Sequence, residues 1–211
     1  MTNEPRTNSR NVPTIGLTGG VGAGKSTVAT ILRELGSVVS DSDRDARAVL
    51  ANPEVLAALR AWWGDEVIDE DGLADRSAIA SRIFSDKEAR VRLERLVHPQ
   101  VHERRQQTFA AAPDDATALV IDAPLLFEAG LDVECDAVIF VDAPWGVRLS
   151  HVQEGRGWNR AELERREAAQ FPIDEKRSKA TDVISNDLGR AELAERVRVA
   201  LESIVARFQG S

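Results

Sequence analysis

The chain has 211 residues, 43% of them hydrophobic and 29% charged, which is enough apolar material for a buried core and rules out wholesale disorder. Acids outnumber bases by 35 to 27, for a net charge of −8, and aromatics make up 5% with no Tyr, so neither a basic nucleic-acid face nor a base-stacking platform is suggested. The single cysteine, Cys135, excludes an internal disulfide and a multi-cysteine zinc site; with no apolar run of membrane-spanning length and a polar start lacking a signal core, no membrane association is expected and the cytoplasm is the expected compartment.

Residues 1–12, rich in Asn, Thr and Arg, read as a flexible leader outside the fold. Residues 14–18 form a short strand candidate that runs into glycines. From Lys25 the apolar residues Val28, Ile31, Leu32 and Leu35 recur at helical spacing, and Gly36 stops the helix. Residues 37–40 are a second strand. Strand, glycine loop, helix and strand in that order open an α/β unit. Residues 44–63 read as helical with an interruption at Pro53, and 65–75 as an acidic loop with an Asp71-Gly72 turn. Ser85 with Glu88 reads as a capping box for a helix carrying Leu93, Leu96 and Val97, broken or restarted at His98-Pro99. Residues 119–122 and 137–142 are continuous apolar runs that each end in Asp, as expected of central parallel strands. Residues 147–180 are a charged helical stretch, 182–186 a fifth strand, and 190–208 an amphipathic closing helix.

The strongest signal is Gly19-Gly20-Val21-Gly22-Ala23-Gly24-Lys25-Ser26, which fits G-x-x-x-x-G-K-[ST] between a predicted strand and a predicted helix. Its glycines let successive N–H groups point at phosphate oxygens. Lys25 would reach the β- and γ-phosphates, and the Ser26 hydroxyl would ligate magnesium. Asp41 and Asp43 follow the second strand. On an extended segment, residues two apart point the same way, so both carboxylates could face a pocket at the strand ends, one taking a substrate proton and one near magnesium. The alternative for either is a helix cap. Asp122, at the end of its strand, is a candidate for the metal shell or a loop-initiating Asp. From Arg148 to Lys179 there are eight bases and six acids. This stretch is either a solvated helix face or a lid whose arginines cover a transferring phosphoryl group. The N-K-x-D segment of a base-reading GTPase is missing, which argues against a regulatory switch. Cys135 reads as a packing residue and Trp62-Trp63 as core or interface.

Together these residues resemble the dephospho-coenzyme A kinase family, from Ile15 to the C-terminus. The likeness rests on Gly16 to Thr27, Asp41-Ser42-Asp43 with Ala46-Arg47, His98-Pro99, Asp122-Ala123-Pro124-Leu125-Leu126-Phe127-Glu128, Gln170 with Lys176, and Val183-Ile184 with Asn186. The resemblance implies ATP-dependent phosphorylation of the ribose 3′-hydroxyl of dephospho-coenzyme A, the last step of coenzyme A synthesis. It also implies that the general base falls on Asp43, the lid arginine on or next to Arg156, and the adenine-side Asn on Asn186. Where many members carry another lid arginine, this chain reads Ser150-His151-Val152.

The expectation is therefore an α/β P-loop kinase with a five-stranded parallel core at 13–43, 116–147 and 181–211. A helical acceptor-binding insertion is expected at 44–115 and a lid at 148–180. ATP would be held by Gly20, Val21, Gly22, Ala23, Gly24, Lys25, Ser26, Thr27 and Asn186. Magnesium would sit at Ser26, with Asp41 or Asp122 in its outer shell. Asp43, Lys25 and Arg156 would carry the transfer. The alternative is another small-molecule or nucleotide kinase of the same fold.

Overall fold

The first strand, β1 (Thr14–Gly19), is buried at every residue, as a central strand covered on both faces must be. The computed structural model describes residues 11–210, so the leader expected at 1–12 lies outside the described residues except for Asn11 and Val12. Helix α1 (Lys25–Glu34) follows and buries Val28, Ala29, Ile31 and Leu32. It stops where Gly36 donates to the Arg33 carbonyl and Ser37 to the Leu32 carbonyl, a crossed closure of the last turn. Strand β2 (Val38–Asp41) leads into α2 (Ser42–Leu50) and α3 (Pro53–Trp63). The break between these two helices comes from Asn52, whose side chain caps Glu54 N–H at 3.0 Å, and from Pro53 in the first turn. Next come α4 (Arg76–Ser85), α5 (Lys87–Ala110), β3 (Leu119–Asp122), β4 (Ala137–Asp142), α6 (Trp145–Arg156), α7 (Arg160–Glu167), α8 (Ile173–Lys179), β5 (Asp182–Ser185) and α9 (Arg190–Gln209).

The sheet has the order β2-β3-β1-β4-β5, and β1 runs parallel to both its neighbours, β3 and β4. The chain fills one side of β1 and then the other, so the topological switch falls at the carboxyl end of β1, where the glycine loop begins. Helices α1 and α9 bury Ile31, Leu32, Leu193, Val197, Leu201 and Ile204 in one cluster with Ile15, Leu17, Val120, Ile139 and Ile184 of the strands.

The chain divides into two compact units, one formed by the residues up to Ser40 and from Ala112 onward, the other by Asp41–Ala111. The second has its own core of Val49, Val55, Leu59, Val67, Ile79 and Val97, with Trp62 and Trp63 packed against it. Among the described residues no helix is long and apolar enough to cross a membrane.

Three local expectations are corrected. Asp86, not Ser85, caps α5, accepting from Glu88 and Ala89 N–H at 2.9 and 3.0 Å. Ser85 is the last residue of α4, and its hydroxyl donates back to the Ser81 and Arg82 carbonyls. Pro99 neither breaks nor restarts α5, which runs through it for 24 residues. The ring removes one donor and crowds one turn. Burial of Ala89 and Val97 before it, and of Arg105 and Phe109 after it, holds both halves. Finally, residues 41–43 are not one extended segment. The strand ends at Asp41 and the helix starts at Ser42, so the two-residue alternation does not apply. Asp41 accepts from Arg44 N–H at 2.9 Å, the capping alternative.

Candidate active site

The loop between β1 and α1 curls through two left-handed glycines, Gly22 at φ 78° and Gly24 at φ 88°. Space fixes them as firmly as conformation does. A Cβ on Gly22 would lie 2.6 Å from the Arg148 carbonyl and 2.9 Å from Val152, and one on Gly24 would run into the Asn186 amide. The first N–H groups of α1, at Lys25 and Ser26, have no partner inside their own helix, which makes this end a natural anion seat.

The Lys25 ammonium pairs with the Asp122 carboxylate. Register explains the meeting: Asp122 ends β3 directly opposite Leu17 of β1, so the two strand ends bring it beside the loop. Asp122 is buried at 5% exposure, and Ser26 is exposed on the first turn. Thr27 is half-buried one residue further along α1. Asn186 follows β5 and is buried; its amide donates to the Ala23 carbonyl at 2.9 Å. Its amide nitrogen is therefore engaged with the loop backbone.

Helix α6 backs the loop. Arg148 is buried, donates from Nε to the Ala143 carbonyl at 3.1 Å and from Nη1 to the Val21 carbonyl at 3.4 Å, and pairs with Glu167 of α7. Burial lowers its pKa from the ordinary arginine value, and the charge of Asp142 opposes that shift. At the far end of α6, Arg156 is exposed, with its guanidinium 4.6 Å from the Trp158 ring; Arg166 lies 3.9 Å from the same ring. In α7 hydrogen bonds from Arg165 and Arg166 hold the Glu162 carboxyl down at about 2.

Lys176 looks like a surface base in the sequence, yet it is 1% exposed. Its ammonium donates to the Pro124 carbonyl and the Gln170 side chain, both at 2.9 Å, and pairs with Glu128 at 2.7 Å. The Thr18 hydroxyl donates to the same Pro124 carbonyl, and Glu128 also accepts from Phe171 N–H at 2.8 Å. The segment after Asp122 is thus tied to the turn between α7 and α8. A buried cation is stable only when so paired.

The dephospho-CoA kinase family model matches residues 13–192. A dephospho-CoA kinase of Deinococcus radiodurans is 43% identical over 188 residues, covering 88% of this chain and 90% of its own. That of Syntrophotalea carbinolica is 38% identical, covering 93% and 94%. The chain belongs to the dephospho-CoA kinase family. A solved Thermus thermophilus structure is 36% identical and superposes with a TM-score of 0.82, covering 91% of this chain and 97% of its own.

Of the residues that carried the family likeness in the sequence, Pro124, Glu128, Gln170 and Lys176 form one hydrogen-bonded cluster. Lys25 and Asp122 are brought together, and Asn186 reaches the same loop. Asp41 and Asp43 belong to the helical unit, Asp41 half-buried as a cap and Asp43 exposed in the first turn of α2. Sequence reasoning missed Arg148 and His151 as partners of the loop. Arg148 gave at most a weak signal, an arginine three residues after Trp145; His151 gave none.

Proposed function

We propose that this chain transfers the γ-phosphoryl group of ATP to the ribose 3′-hydroxyl of dephospho-coenzyme A, giving coenzyme A and ADP. The carrying observation is the Lys25–Asp122 pair at a glycine loop within a chain of this family. Gly20, Val21, Gly22, Ala23, Gly24, Ser26 and Thr27 contribute the cradle, and Lys25 exchanges Asp122 for the β- and γ-phosphates when ATP arrives. The 3′-oxygen attacks phosphorus as the bond to the β-phosphate oxygen breaks, and Asp43 takes the hydroxyl proton. The helical unit supplies the acceptor site, and Arg156 covers the phosphates once the lid over 148–180 excludes water, the competing acceptor. Asn186 serves the nucleotide through the loop backbone it holds.

Magnesium fits the donors present. Ser26 offers an exposed hydroxyl and Asp122 a carboxylate, both hard oxygen ligands, and an ion shared with phosphates needs only one or two such groups. Asp41, as a cap, stands in its outer shell at most. When bound, the ion neutralises charge on the β- and γ-oxygens. We place the reaction in the cytoplasm.

The test is ADP release with and without dephospho-coenzyme A. Turnover should depend on this acceptor and yield the 3′-phosphate. Equal or faster turnover with another alcohol or nucleotide acceptor would favour the alternative kinase reading. Asp43→Asn should lower kcat by about 100- to 10,000-fold while ATP affinity holds. A loss of tenfold or less would remove Asp43 as the base.

A further inference from the structure

A backbone that aims N–H groups at a phosphate must turn its carbonyls the other way, and each of those needs a donor. From Gly20 to Gly24 every carbonyl has one. Gly20 accepts from Ala23 N–H at 3.0 Å, and Gly24 from Thr27 and Val28 N–H at 3.0 and 3.2 Å. Among the described residues, the three between them are met by side chains from elsewhere. Arg148 Nη1 reaches Val21 at 3.4 Å, His151 Nδ1 reaches Gly22 at 2.9 Å, and Asn186 Nδ2 reaches Ala23 at 2.9 Å. A carbonyl can only accept, so Nδ1 of His151 carries the proton. Two of the donors stand one turn apart on α6, and the third follows β5.

We propose that Arg148, His151 and Asn186 are positioning residues that grip the carbonyl side of the phosphate loop and so hold its amide side in the shape ATP requires. None of them needs to touch the nucleotide. A loop fixed before binding does not have to be ordered during it, and that difference appears as affinity. Arg148 also pairs with Glu167, so the grip on the loop ties α6 to α7. This inference rests on the reading that the loop binds ATP.

His151 gives the cleanest test, because it is exposed and its replacement spares the core. His151→Leu removes the donor, whereas His151→Asn keeps an N–H at a comparable distance from the backbone. One hydrogen bond lost should weaken ATP binding, measured by calorimetry without acceptor, by about fivefold. KM for ATP should rise with it, KM for dephospho-coenzyme A should stay, and the melting temperature should fall by no more than about 2–4 °C. His151→Asn should return ATP affinity to within about twofold of the parent. Lys25→Ala serves as the control. Parent-like ATP binding by His151→Leu, beside impaired Lys25→Ala, overturns the grip alone. Equal losses in the Leu and Asn variants overturn it as well, by showing that the donor is not what matters. Parent-like ATP binding by Lys25→Ala overturns the underlying reading of the loop.

Discussion

Two stretches assigned to the nucleotide are built in contrasting ways. The phosphate loop is a run of small residues held from outside: each carbonyl from Gly20 to Gly24 has a donor, and α6 leaves no room for a Cβ at Gly22. Helix α7, in the proposed lid, buries only Leu163 and is laced by exposed pairs, Arg160–Glu164, Arg165–Glu162 and Arg166–Glu162. Such pairs add little stability, because solvent screens them. Rigidity is concentrated where amide groups must be aligned in advance. It is withheld in the segment proposed to open and close over the nucleotide.

The sharpest way to break that contrast is Lys25→Ala. Lys25 stands in a frame made by backbone and by other side chains, so its loss should cut kcat by about 100- to 1,000-fold and leave the chain folded, with a lower melting temperature because buried Asp122 loses its partner. A variant that unfolds instead would make the loop depend on its own lysine and not on its outside donors. Hydrogen exchange measures the contrast directly. Without ligand, amides of α7 should exchange far faster than those of α1. With ATP at about 100 times its dissociation constant, exchange in α7 should slow by up to about 100-fold, and further once dephospho-coenzyme A is added. Unchanged exchange there would return the arginines to a solvated helix face. The smallest effect concerns acid. The folded pKa of Glu162 is about 2, below the ordinary 4.5, so its stabilising contribution is complete above pH 4.5 and fades as pH falls toward 2. Order in α7, followed by amide shifts, should be level from pH 7 to 5 and decline below pH 4.5, with the decline muted in high salt.

The strands and the loop were legible because each is written locally. The runs at Val120-Ile121 and Val138 to Val141 carry their own burial, and the loop carries its glycines. What failed was information held by neighbours. Pro99 reads as a break because a local rule cannot see the contacts on either side of it. Asp41 and Asp43 read as a matched pair because the sequence does not say that the strand stops between them. Lys176 carries the letter of a surface residue, and only burial among Pro124, Gln170 and Glu128 gives it a place. His151 was invisible for the same reason, since its partner lies 129 positions away.

The split of the sheet unit around the helical unit has a consequence for synthesis. Ile15 pairs with Val120 and with Ala137, so the first strand made is the central one and has no neighbour on either flank until more than a hundred further residues exist. At about 5–20 residues per second, an unpaired apolar strand waits roughly 5–20 s on the ribosome. Residues 41–111 emerge during that interval as a contiguous unit with a core of its own. The helical unit should therefore be the first part to fold, and the central strand the segment that most needs shielding while the chain is unfinished.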